Sequence, residues 1–93
     1  MAQLLSPSEI EESLSKLSDW TLEGNKIKST RKFKDFVEAI NFVNKLVEPA
    51  ESAGHHPDLE ISYNKVTITL TTHDTGGLTT QDFQMAAKIA QIS

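Results

Sequence analysis

Val66-Thr67-Ile68-Thr69-Leu70-Thr71-Thr72 alternates apolar and polar side chains along most of its length. That is the two-residue period of a strand with one face buried and the other in water. Leu59 to Tyr63 reads as its partner strand, with Asn64-Lys65 as the turn of the hairpin. Working upstream, Gly54 is a natural helix terminator. Ahead of it, Phe36, Val37, Ile40, Val43 and Val47 trace a helical face that Phe42 and Leu46 widen. Asp35 and Glu38 form its cap-and-box start. This helix is expected to run from about Phe36 to near Ala53, kinked or loosened in its last turn by Pro49, which removes a hydrogen bond to the Lys45 carbonyl.

Further upstream, Trp20 to Leu22 and Ile27 to Phe33 read as strands around Glu23-Gly24-Asn25. Lys28, Arg31 and Lys32 place the second of these at an edge or with a face in water. The chain opens with a helix start: Ser6 caps, Pro7 suits the first turn, Glu9 closes a capping box, and Leu5 and Ile10 are set for a hydrophobic staple. Downstream, His73-Asp74-Thr75-Gly76-Gly77 reads as a flexible loop. Thr79 then caps a last helix carrying Phe83, Ala86, Ala87 and Ala90, with Met85, Ile89 and Ile92 beside them. The order is αββαββα. It predicts an α+β fold, a four-stranded antiparallel sheet with helices packed on one face, as one domain over residues 1–93.

Composition narrows the chemistry. The 93 residues contain no cysteine, which removes disulfides, thiolate zinc sites and thiol nucleophiles and fits the cytoplasm. Nine basic against thirteen acidic residues, with no basic cluster, argue against direct nucleic-acid binding. No apolar run is long enough to span a bilayer, and the start lacks a basic-then-apolar leader pattern, so no membrane association is expected. His55, His56 and His73 are left as the groups that exchange protons near neutral pH. Pro57 keeps His56 out of the helical region, and neighbours in an extended segment point to opposite sides. One histidine can therefore enter a pocket while the other sits at its rim. His73 opens onto Gly76-Gly77, whose missing side chains allow close approach of a planar ligand. Plainer readings exist for each. His56-Pro57 reads as a helix stop, Glu51 as a solvated helix charge, and Thr79 as a cap alone. Asp82, three residues later, reads equally as helix support and as catalytic support. No metal site is expected, because the histidines lack a ligand spacing such as His-x-x-x-His.

Ala50-Glu51, His55-His56-Pro57-Asp58, Tyr63, Val66, Leu70-Thr71-Thr72-His73-Asp74, Gly76-Gly77-Leu78-Thr79 and Asp82 together resemble the pterin-4a-carbinolamine dehydratase (dimerization-cofactor) family. The likeness spans roughly Trp20 to Ile92. Leu59 departs from it, standing where an aromatic residue is common, and Pro49 lies in the helix before the motif. The resemblance implies dehydration of 4a-hydroxytetrahydropterin, for instance 4a-hydroxytetrahydrobiopterin, to quinonoid dihydropterin and water. That is a hydro-lyase step in tetrahydrobiopterin recycling, downstream of aromatic amino-acid hydroxylases. It also implies His55, His56 and His73 as catalytic residues, His55 and His73 being the acid–base pair and His56 chiefly binding or positioning the substrate. Glu51, Pro57, Thr72, Asp74 and Thr75 would help bind the pterin, and Asp82 would support an imidazole. No cofactor or metal is implied, and a homodimer or homotetramer is. Two alternatives come from the same resemblance. One is a non-catalytic dimerization or transcriptional coactivator protein; the other is a pterin-binding accessory protein of molybdopterin metabolism.

Overall fold

Val66, Ile68 and Leu70 are completely buried, while Thr67 and Thr69 between them stay partly accessible, as the alternation requires. The structure is a computed structural model that describes residues 3–92. Its elements are α1 (Pro7–Ser15), β1 (Thr21–Glu23), β2 (Lys26–Lys32), α2 (Phe36–Lys45), α3 (Val47–Ala53), β3 (Asp58–Ser62), β4 (Lys65–Leu70) and α4 (Thr80–Ala90). The strands make one antiparallel sheet in the order β1-β2-β4-β3. Phe42 and Leu46 from the central helical region and Met85, Ala86 and Ile89 from α4 join Ile27, Val66, Ile68 and Leu70 in the core. Ile10, Leu14 and Leu17 pack at its margin. On the opposite face the Thr30 and Thr67 hydroxyls meet across the sheet at 3.1 Å. This is the expected α+β architecture with helices on one face. Among the described residues, no helix is long and apolar enough to cross a membrane.

Both expected capping boxes at the outer helices form, Ser6 with Glu9 and Thr79 with Asp82. The Ser6 backbone N–H, donated to Glu9 at 2.8 Å, holds that carboxyl below its usual pKa. The long central helix is broken, however, and the break falls at Leu46, ahead of Pro49. Proline cannot donate to Lys45, and its ring crowds that carbonyl. Restarting the helix at Val47 places Pro49 in a first turn, where backbone N–H groups have no intrahelical partner to lose. The second hairpin turns on Tyr63-Asn64, one residue earlier than expected, because Ser62 pairs with Lys65. Asn64 is tied down by Phe33. Its side-chain amide donates to the Phe33 carbonyl at 2.8 Å, and its own carbonyl accepts the Phe33 N–H at 2.7 Å. Tyr63 takes the left-handed conformation this turn requires, φ +52°.

Of the two expectations for β2 the open face holds, with Lys26, Thr30 and Lys32 exposed along it, and Arg31 departs from it. β2 is an interior strand, paired with both β1 and β4. Strand alternation puts Arg31 on the covered face with Ile27 and Ser29. There its guanidinium donates to the Ile89 and Ile92 carbonyls at 3.3 Å each and lies 5.3 Å from the centre of the Phe42 ring. The negative end of α4 and an aromatic face stabilise the charge on this partly buried side chain. Arg31→Met, which keeps the stem and deletes the head, is expected to lower stability by about 1 kcal/mol. Urea denaturation measures this, and an unchanged midpoint would contradict the account.

Candidate active site

The backbone delivers His55 by stopping a helix. Gly54 ends α3 at φ +62°, a conformation open to glycine at no steric cost. The Gly54 N–H donates to the Glu51 carbonyl at 3.3 Å and the His55 N–H to the Ala50 carbonyl at 3.1 Å, closing a Schellman motif. The main chain at His55 is therefore anchored before its ring makes any contact. The ring turns inward: Nε2 lies 2.6 Å from Asp82 Oδ1, with the Asp82 side chain wholly buried. A carboxylate can only accept, so Nε2 carries the proton and Nδ1 is the ring nitrogen left for chemistry.

Asp82 sits in the first turn of α4, where it caps the helix and also meets the His55 ring. Its Oδ2 accepts the Thr79 N–H at 2.9 Å, which is the capping bond, and the Thr72 hydroxyl at 2.8 Å. Its Oδ1 is left for His55. An unpaired buried carboxylate would be costly, and these three donors meet that cost.

His56 points away from His55, as neighbours in extended chain should. It is exposed, and its Nε2 lies 2.5 Å from Glu51 Oε2. His73 follows β4 and begins a four-residue turn closed by the Thr72–Gly77 bridge. Its Nε2 is 3.8 Å from Asp58 Oδ2, an ion-pair distance between two exposed groups. The turn is not the open loop expected. Gly76 N–H donates to the Thr72 carbonyl at 3.0 Å, the Thr75 hydroxyl contacts the Thr72 and Gly77 carbonyls at 3.1 and 3.2 Å, and Asn25 donates to the Gly76 carbonyl at 2.9 Å.

A cleft of about 270 Å³ opens between these pieces. Of the residues expected at a site, His55, His56, Thr72, His73 and Asp74 line it together. Glu51 and Pro57 instead face an adjoining, mainly apolar groove of about 200 Å³ with Leu46, Val47 and Leu59, and His56 borders both spaces. Leu59, the position that lacks an aromatic ring, thus belongs to the groove and not to the cleft. Thr75 is absorbed by the turn. The space beside Gly77, expected to admit a flat ligand, is filled by the chain itself: a Cβ there would lie 2.8 Å from Leu4 Cδ2. Thr71 and Gln81 line the cleft without having been anticipated. Gln81 was placed close to it by the cap two residues earlier, the one signal that could have found it.

Three histidines lie on one small cleft, one of them backed by a buried carboxylate, and imidazole is a side chain able to exchange protons near neutral pH. Comparison with known proteins gives the family. The family model for pterin 4 alpha carbinolamine dehydratase matches residues 3–92. A Nostoc sp. protein provisionally named a pterin-4-alpha-carbinolamine dehydratase is 74% identical over 93 residues, covering 100% of both chains. A Thermosynechococcus vestitus protein with the same provisional name is 52% identical over 93 residues, 100% of this chain and 98% of its own. A Brucella melitensis crystal structure described as a transcriptional coactivator/pterin dehydratase aligns at TM-score 0.90 and 38% identity, over 95% of this chain and 96% of that one. A pterin dehydratase-like protein identified as a RuBisCO assembly factor in the alpha-carboxysome shares the fold at TM-score 0.62 and 20% identity, over 80% and 89% of the two chains. The chain belongs to the pterin 4 alpha carbinolamine dehydratase family.

Removing the central carboxylate should be costly. Asp82→Ala strands the Thr79 N–H, the Thr72 hydroxyl and the His55 Nε2–H, and is expected to destabilise the fold by about 3 kcal/mol or more. Thermal and urea unfolding measure it, and a loss no larger than that of an ordinary surface substitution would contradict the network.

Proposed function

We propose that this chain, working as one domain, dehydrates a 4a-hydroxytetrahydropterin to the quinonoid dihydropterin and water by histidine acid–base catalysis. The observation that carries this reading is the convergence of His55, His56 and His73 on one cleft of about 270 Å³. The reaction breaks the bond from C4a to the hydroxyl oxygen. One group must deliver a proton to that oxygen so that it leaves as water, and another must accept the proton of the neighbouring ring nitrogen as the double bond forms. Imidazole does either near neutral pH, and the two transfers leave the protein's proton count unchanged.

His55 and His73 are the acid–base pair. Asp82 orients His55, leaving Nδ1 for the proton exchanged with the substrate. His73, with Asp58 beside it at 3.8 Å, stands on the turn across the cleft. His56, paired with Glu51 at the rim, positions the substrate, and Asp74 and Thr72 add polar lining. The pathway that fits is recycling of a tetrahydropterin such as tetrahydrobiopterin after aromatic hydroxylation, in the cytoplasm.

Assay of the purified chain with synthetic 4a-hydroxytetrahydropterin tests the proposal. Turnover above the spontaneous rate is expected, and His73→Ala, an exposed substitution, should lower it by about 10²-fold with little change in stability. No turnover in the parent chain, or full turnover in that variant, would overturn the assignment.

The working unit is proposed to be a homodimer or homotetramer. Val37 and Val47 on the helical layer are exposed by 65% and 57%, and Ile61 on edge strand β3 by 42%, apolar side chains that a second copy can cover. Sedimentation equilibrium should show a dimer or tetramer at micromolar concentration, and a monomer would refute self-association.

A further inference from the structure

The hydroxyl of Thr79 has one use as a helix cap and a second that capping does not require. As a cap, its oxygen accepts the Gln81 N–H at 3.2 Å, which any side-chain acceptor could do. Its other contact is with Thr72 Oγ1 at 2.8 Å. Thr72 has a single hydroxyl proton, and that proton goes to Asp82 Oδ2. The proton between the two threonines must therefore come from Thr79. The chain of donors then runs in one direction, from Thr79 to Thr72 to Asp82.

Each member of this chain is shielded from water: Thr79 and Asp82 have no exposed surface, Thr72 has 6% and His55 has 8%. Oδ2 of Asp82 accepts two protons from fixed directions, one from the Thr79 backbone and one from Thr72. The carboxylate cannot rotate about its own axis without breaking both bonds in a dry environment. Oδ1 is thereby held toward His55 Nε2.

We propose that Thr79 is a positioning residue for His55, its hydroxyl proton fixing the imidazole's orientation through Thr72 and Asp82. The kinetic part of this inference rests on the dehydratase reading; the structural part does not. It also assigns the Thr72 hydroxyl to Asp82, so Thr72 offers the cleft its surface and not its donor.

The test compares the parent chain with Thr79→Ser, Thr79→Ala and Thr72→Val, by steady-state kinetics on synthetic 4a-hydroxytetrahydropterin and by nitrogen NMR of the His55 imidazole. Thr79→Ser keeps both functions of the hydroxyl and should match the parent. Thr79→Ala should lower kcat by about tenfold at nearly constant KM, within the range that misplacement of a catalytic group produces. It should also shift and broaden the His55 nitrogen signals, as a ring held less firmly against Asp82 requires. A Thr79→Ala protein that is less stable but keeps its kcat and its His55 signals would show a cap and nothing more. Should that variant not fold, Thr72→Val decides, because it leaves the cap in place and interrupts the same chain. Unmoved His55 signals there overturn the proposal. If the parent has no turnover, the dehydratase reading fails, and the His55 signals of the variants still decide whether Thr79 positions the ring.

Discussion

A carboxylate with no exposed surface lies where three parts of the chain meet. Asp82 starts α4, accepts from Thr72 just beyond β4, and accepts from His55 at the junction of α3 and β3. Withdrawing a charge this far from water costs several kcal/mol unless its oxygens are met by donors. The protein meets them with one backbone N–H, one hydroxyl and one imidazole, each from a different place in the fold. The same requirement that makes the interior stable therefore aims the ring. A relaxed Asp82 would release the cap of α4, the end of β4 and the orientation of His55 together.

Most of the architecture was legible because it rests on local rules. The alternation of Val66, Ile68 and Leu70 named a half-buried strand, and Ser6 with Glu9 and Thr79 with Asp82 named two helix starts. The expectations that failed depended on partners far along the chain. Nothing near Tyr63 says that Asn64 will be held by Phe33. The charge on Arg31 looked like a mark of solvent, since the carbonyls that satisfy it come from the end of α4. Pro49 did announce a disruption. It could not tell that the helix would restart early enough to make the proline harmless.

The site follows the same division. Pro57 was enough to predict that His55 and His56 would part, and they do, one inward to Asp82 and one outward to Glu51. From sequence Thr72 and Thr79 each carry a single role, as lining and as cap, because their contact exists only once the end of β4 meets the start of α4. Gly76 and Gly77 suggested room for a ligand. Glycine marks where a backbone can be approached closely; it does not say by what.

In this protein the approach to Gly77 is made from within. Leu4 lies over it, and the Leu5 N–H donates to the Leu78 carbonyl at 2.9 Å. The segment ahead of α1 thus rests against the far side of the turn that begins with His73. α1 contains no fully buried residue and looks expendable by the usual measure of core packing. Its worth is that of a counterweight: it holds Leu4 and Leu5 in place, and they hold the turn. A deletion that trims this leading arm would uncover Gly77 and free the turn that carries His73 to move.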